Sequence, residues 1–156
     1  MAVMKQKTWE RHANPLSGFT RIISYPLVFL PLWFLSDFLA DPYPYWYVAV
    51  GGIIVIVWFA INPRLFKKPK DYSHYLSRGV LGEKLWTEDR KKDSISLILT
   101  LTMAPFFFVS IYSCYMQLFW ETMFFAAVPF LIKLWFIDRM VFLYDQNRTN
   151  VTKENK

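Results

Sequence analysis

The side chains of this sequence that could do chemistry are five arginines, three carboxylates, one histidine and two asparagines. Glu10, Arg11, His12, Asn14 and Arg21 lie near the start, Asn62, Arg64, Arg78 and Glu83 in the middle, and Asp138 and Arg139 late in the chain. A guanidinium presents its N–H donors as a planar fork, so arginines interspersed with acids either clamp one another or clamp a carboxylate or phosphate brought by a ligand. His12 with Glu83 would form an acid–base pair if the histidine titrated near neutral pH and desolvation raised the glutamate. No glycine-rich phosphate loop, His-x-x-Glu-His run, paired-aspartate signature or nucleophile elbow accompanies them, so no residue is assigned a catalytic role. His12 and His74 are the only histidines and Cys114 the only cysteine. That excludes an intramolecular disulfide and a thiolate cluster, and neither a metal nor a cofactor is expected.

The elements that must position these groups are apolar. Of 156 residues, 54% are hydrophobic, 20% aromatic and only 19% charged, too apolar for an ordinary soluble domain. The hydropathy pattern predicts an all-α integral membrane protein with four transmembrane helices over about 22–39, 45–61, 95–115 and 118–137, read as one membrane domain over 1–156. Asn14 followed by Pro15 is a helix start, the asparagine capping orphan N–H groups and the proline losing nothing in the first turn. Pro26 and Pro31 inside the first span predict a kink or local unwinding. Gly51 and Gly52 in the second span either admit a close neighbour or are merely tolerated. The two-residue link Met116-Gln117 demands an antiparallel hairpin of the last two spans. Apolar residues recur at helical spacing over about 72–86, which predicts a helix lying on the membrane, although Gly79 and Gly82 weaken it. The end of the chain, 146–156, reads as a flexible, solvated tail.

Charge sets the expected orientation. Of the 18 lysines and arginines, four precede the first span, nine fall between the second and third, and five lie from Lys133 onward; neither of the other two turns has any. The positive-inside rule then places both termini, the surface segment 1–21 and the loop 62–94 in the cytoplasm. Tyr43, Tyr45, Trp46, Tyr47, Tyr112, Tyr115 and Trp120 would form the outer aromatic belt, and Trp9, Trp58, Trp86 and Trp135 the inner one. A net charge of +6 clustered between apolar runs suits anionic lipid headgroups and not nucleic acid. The sequons at Asn147 and Asn150 fall on the cytoplasmic side, where they are inert.

Four blocks of sequence resemble a known family. They are Trp9-x-Arg11-His12-Ala13-Asn14-Pro15-x-Ser17-x-x-Thr20-Arg21, Asn62-Pro63-Arg64-Leu65-Phe66, Ser77-Arg78-Gly79-Val80-Leu81-Gly82-Glu83-x-x-Trp86 and Lys133-Leu134-Trp135-Phe136-x-Asp138-Arg139-Met140-Val141. In this order, spanning Trp9 to Asp145, they resemble an uncharacterised class of small bacterial and archaeal multi-pass membrane proteins, a domain of unknown function. Leu16 stands where the family pattern has tryptophan, a conservative departure. The resemblance implies a four-helix membrane protein and supplies no activity, substrate or cofactor.

All four blocks fall on the expected cytoplasmic side, where their polar residues would meet at the inner mouth of the bundle. Two readings of that cluster stand. In the structural one, Glu10, Glu83 and Asp138 pair with Arg11, Arg78 and Arg139 in some permutation and clamp loop to bundle. The protein is then a non-enzymatic accessory or structural membrane protein, binding lipid, a second copy or a partner membrane protein through a basic, aromatic cytoplasmic face. In the other, the arginines hold an anionic ligand, in a small transporter, channel or ligand-binding membrane protein with proline-broken helices.

Overall fold

Between the capping asparagine and the first proline break, the chain folds as the sequence dictates. The computed structural model describes residues 6–88 and 93–154, with side chains to residue 150, and no strand occurs among them. Helix α1 (Gln6–His12) gives way to α2 (Pro15–Ser24) at Asn14, whose Oδ1 accepts from the backbone N–H of Leu16 at 2.9 Å. That is the expected N-cap, with Pro15 in the first turn. Past Ser24 the path is broken into a 3-10 turn (Tyr25–Val28), α3 (Phe29–Trp33) and α4 (Leu35–Ala40). Pro26 cannot donate to the helical ladder, so the chain tightens there and the expected interruption of the first span forms.

Helix α5 (Trp46–Leu65) runs past residue 61 and through Pro63. The residue before that proline is fixed from outside: Ser17 Oγ donates to Asn62 Oδ1 at 2.9 Å, and Asn62 Nδ2 donates to Thr20 Oγ1 at 3.0 Å. Trp58 Nε1 donates to Ser24 Oγ at 2.9 Å one turn further on. Asn62 and Ser17 are fully buried, so this polar seam between α2 and α5 is satisfied internally.

Helices α7 (Ser94–Tyr115) and α8 (Phe119–Glu154) form the expected hairpin. Its turn holds Gln117 at φ 55°, and Gln117 Nε2 donates to Trp33 O at 3.1 Å and to Asp37 Oδ2 at 2.9 Å, tying the hairpin tip to α3 and α4. Helix α8 continues to Glu154, where the sequence suggested a solvated tail from residue 146. At 1.5 Å per residue its 36 residues extend about 54 Å, well beyond the roughly 30 Å of a bilayer core.

Helix α6 (Tyr75–Glu88) is docked, not free on a surface. A Cβ on Gly82 would overlap the carbonyl of Met140, and one on Gly79 would come within 3.0 Å of Ile137 Cγ2. The glycines that weakened the helical reading are therefore what lets the backbone of α6 approach α8, backbone at Gly82 and side chain at Gly79. Around this crossing Trp86, Leu99, Phe136 and Met140 form one buried cluster, and Trp9, Ala13 and Val80 form another that fastens α1. Three segments, Pro15–Ala40, Trp46–Leu65 and Ser94–Tyr115, are long and apolar enough to cross a membrane. In their most apolar windows only 6%, 11% and 17% of residues are buried, so the apolar surface faces outward.

Candidate functional site

Most of the charged residues singled out above are structural ties. Glu10 meets Lys68 Nζ at 3.2 Å, Arg11 Nη1 donates to the Arg64 carbonyl at 3.3 Å, and Asn14 Nδ2 donates to the Lys67 carbonyl at 2.9 Å. Arg64 turns back on its own helix, donating to Ala60 O at 3.4 Å. Together these fix α1 to the end of α5. Lys68 holds the Glu10 carboxyl below the usual glutamate range, first by hydrogen bonding, with Gln6 assisting. Arg78 Nη1 reaches Asp145 Oδ2 at 2.7 Å, and Tyr75 OH donates to Asp138 Oδ1 at 3.0 Å. Arg139 forks onto Asp93, Nη2 at 2.6 Å and Nε at 3.1 Å from Oδ1.

None of the expected pairings between Glu10, Glu83, Asp138 and Arg11, Arg78, Arg139 forms. The reason is helical geometry. Arg78 on α6 faces the turn of α8 that carries Asp145, two turns beyond Asp138, while Arg139 lies against the N-cap of α7. Asp93 and Asp145 were missed as partners; Asp93 immediately before the apolar run of α7 carried a capping signal, and it accepts from Ser96 N–H at 3.1 Å and from the Ser96 hydroxyl. The expected basic run Arg90, Lys91 and Lys92 lies outside the described residues.

Three of the singled-out residues do converge. His12, Arg21 and Glu83 meet Lys133 at one end of a cavity of about 550 Å³ bordered by α1, α2, the 3-10 turn, α5, α6, α7 and α8. Arg21 Nη2 donates to His12 Nε2 at 3.1 Å. A guanidinium can only donate, so His12 Nε2 is the acceptor and the ring proton sits on Nδ1. Lys133 Nζ lies 3.8 Å from Glu83 Oε1 and 4.4 Å from the centroid of the Phe136 ring. His12 Nδ1 and Arg21 Nε are buried and have no hydrogen-bond partner. Each is a donor left unsatisfied in the packing around the Arg21–His12 contact. Lys133 went unrecognised as a member of the site because a lone lysine in an apolar span reads as a snorkelling side chain.

His12 is 5% exposed, and burial, followed by the charges of Arg21 and Lys133, pushes its pKa down to about 3. It therefore does not titrate near neutral pH, and Glu83 is engaged by Lys133, so the expected acid–base pair is not formed. A histidine held neutral in the fold leaves stability whole above about pH 6.5. Below that the unfolded chain takes the proton first, and stability falls until pH about 3. From pH 6.5 to 4.5 this one group is expected to cost roughly 2–3 kcal/mol. Thermal midpoints of wild type and His12→Asn across that range should diverge, the variant keeping the flatter profile.

The rest of the cavity is apolar, walled by Tyr25, Phe59, Met103, Ala104, Phe107, Phe108, Pro129 and Phe130. Two prolines border it, one at the break after α2 and one inside the continuous helix α8. Pro26 sits in the 3-10 turn on one side and Pro129 in α8 on the other, and Tyr25 OH donates across to the Ala126 carbonyl at 3.2 Å. Among the described residues no group of three or more His, Cys, Asp or Glu side chains is placed to hold a metal ion.

A family model matches residues 2–156. The chain belongs to DUF6653, a family of unknown function. No curated protein and no solved structure matches it. For this DUF6653 member, function has to be argued from the cavity and its basic end.

Proposed function

We propose that this is a four-span membrane protein that binds an anionic ligand at its inner mouth. The three apolar segments supply three spans, and the first half of α8, about 119–137, supplies the fourth. The distribution of lysine and arginine puts both termini and 62–94 in the cytoplasm, with anionic lipid headgroups around them. The observation that carries the reading is the positive end of a 550 Å³ cavity, where Arg21 and Lys133 meet a neutral His12 and a single carboxylate, Glu83. That volume lies within the range of ordinary ligand sites, roughly 300–1,000 Å³. Binding, not acid–base chemistry, suits a histidine that stays neutral. The reading as an accessory protein acting through its cytoplasmic face is less favoured, because Lys68 and Arg78 on that face are engaged by Glu10 and Asp145 within the fold.

Native mass spectrometry of the protein extracted gently from its own membranes tests this. A discrete anionic adduct is expected on wild type, reduced about tenfold or more in Arg21→Gln, since a charge-assisted hydrogen bond contributes about 1.5–3 kcal/mol. Wild type carrying only a stoichiometric protein partner, with no small adduct, would return the accessory reading.

A further inference from the structure

We infer that the ligand is a single-chain amphiphile with one monoanionic head, its head at His12, Arg21 and Lys133 and its chain lying between α2, α7 and α8. This rests on the anion-binding reading and goes beyond it, because an inorganic ion or small metabolite would answer the charge alone.

Three features of the cavity select the class. The first is charge. With His12 neutral, Arg21 and Lys133 against Glu83 leave one net positive charge at the mouth, which a carboxylate or a phosphodiester neutralises and a doubly charged phosphate monoester overshoots. The second is polarity. Every polar or charged group at the mouth is followed inward by rings and apolar chains, Met103, Phe107 and Phe130 among them, so a ligand that ends at its head leaves that wall uncovered. The third is size. Along α8 the lining runs from Pro129 to Met140, about 16 Å at 1.5 Å per residue. Taking about 30 Å³ per heavy atom, the share of a water molecule, 550 Å³ holds on the order of 18 atoms. One chain and a head fit, and a two-chain phospholipid does not. The interruption at Pro26, where the chain leaves α2 for a 3-10 turn, makes the room opposite the continuous helix α8.

The test uses proteoliposomes of phosphatidylcholine containing the full chain and a fatty acid with a photoreactive diazirine in its tail. Labelling is expected at the cavity wall, at Met103 and Phe107, and to saturate at one probe per protein. Excess dodecanoate or dodecyl methyl phosphate, both of a size the cavity holds, should displace it, and which of the two is stronger assigns the head as carboxylate or phosphodiester. Dodecanol should be about tenfold weaker, and acetate or inorganic phosphate without effect. Ala104→Trp, which fills the apolar body away from the donors, should abolish labelling while leaving thermal stability within a few degrees. Lys133→Gln, on a half-exposed side chain, should weaken labelling about tenfold even if Arg21 variants fail to fold.

Displacement by acetate or phosphate at equal concentration would overturn the chain while leaving an anion site. Equal displacement by dodecanol would overturn the anionic head and the anion-binding reading with it. Labels confined to outward residues such as Ile53 and Ile56, growing linearly with probe, would mean contact with bulk lipid only and would overturn the inference.

Discussion

Gly82→Ala is expected to unseat α6 and to give the largest loss of stability of any single methyl added to this chain. The new Cβ would overlap the Met140 carbonyl, which belongs to the backbone of α8 and cannot rotate aside as a side-chain tip would. The helices must separate, which opens the cluster of Trp86, Leu99, Phe136 and Met140 and moves Glu83 away from Lys133. Overpacking of this kind costs about 1–3 kcal/mol where neighbours can shift, and here the cost is expected at or above the upper end. The thermal midpoint in detergent should fall by roughly 6–12 °C. Gly52→Ala is the control: nothing lies within 4 Å of that Cβ, so the substitution should be neutral or slightly stabilising through helix propensity. Equal midpoints for the two variants would contradict the docking of α6 described above.

That contrast also shows where sequence reasoning stopped. The Asn14-Pro15 helix start, the break at Pro26 and the hairpin at Met116-Gln117 each rest on a local rule, and a local rule can be read from a string of residues. Whether a glycine is a close-approach site is not local. Gly51 and Gly52 look the same as Gly79 and Gly82 in sequence, yet a Cβ on Gly51 would touch Pro31 only at an ordinary 3.8 Å. The length of α8 was misjudged for the opposite reason, since polar composition after residue 145 argued for solvation and said little against a solvated helix.

The candidate site was legible as a set of residues and not as an arrangement. Gathering polar groups at one end of the apolar segments is forced by their charge, but the choice among partners depends on helix rotation. Arg78 passes over Asp138 for Asp145, Glu83 takes Lys133, and His12 becomes an acceptor for Arg21. Those choices separate the two readings that the sequence left joined. Arg78, Arg139 and Glu10 end on protein partners and are ties, whereas His12, Arg21, Glu83 and Lys133 come together at the cavity. The break at Pro26 and the α8 wall around Pro129 lie in different segments of the chain, so no pattern within either announces the cavity between them.

Removing the charge at Asp93 should be nearly as costly as crowding Gly82, and for a separable reason. Asp93 is 4% exposed and serves twice, capping α7 through Ser96 and receiving the fork of Arg139. Burial alone would push its carboxyl up, but Arg139 and the Ser96 hydroxyl and N–H outweigh it and hold the pKa below the usual aspartate value. Its contribution is thus present above the unfolded value and lost as pH falls through the folded one, the reverse of a group that gains a proton on folding. Asp93→Asn keeps an amide oxygen able to cap the helix and removes only the charge. Asp93→Ala removes both, and should cost about 1 kcal/mol more. Breaking a buried ion pair from one side costs about 3–5 kcal/mol, somewhat less here because Arg139 is 25% exposed and also lies over the Phe142 ring. Arg139→Gln in the Asp93→Asn background should therefore lose much less than the sum of the two single changes. Additive losses in thermal or denaturant unfolding would mean that each side chain acts alone, and that α7 is held to α8 by apolar packing without the fork.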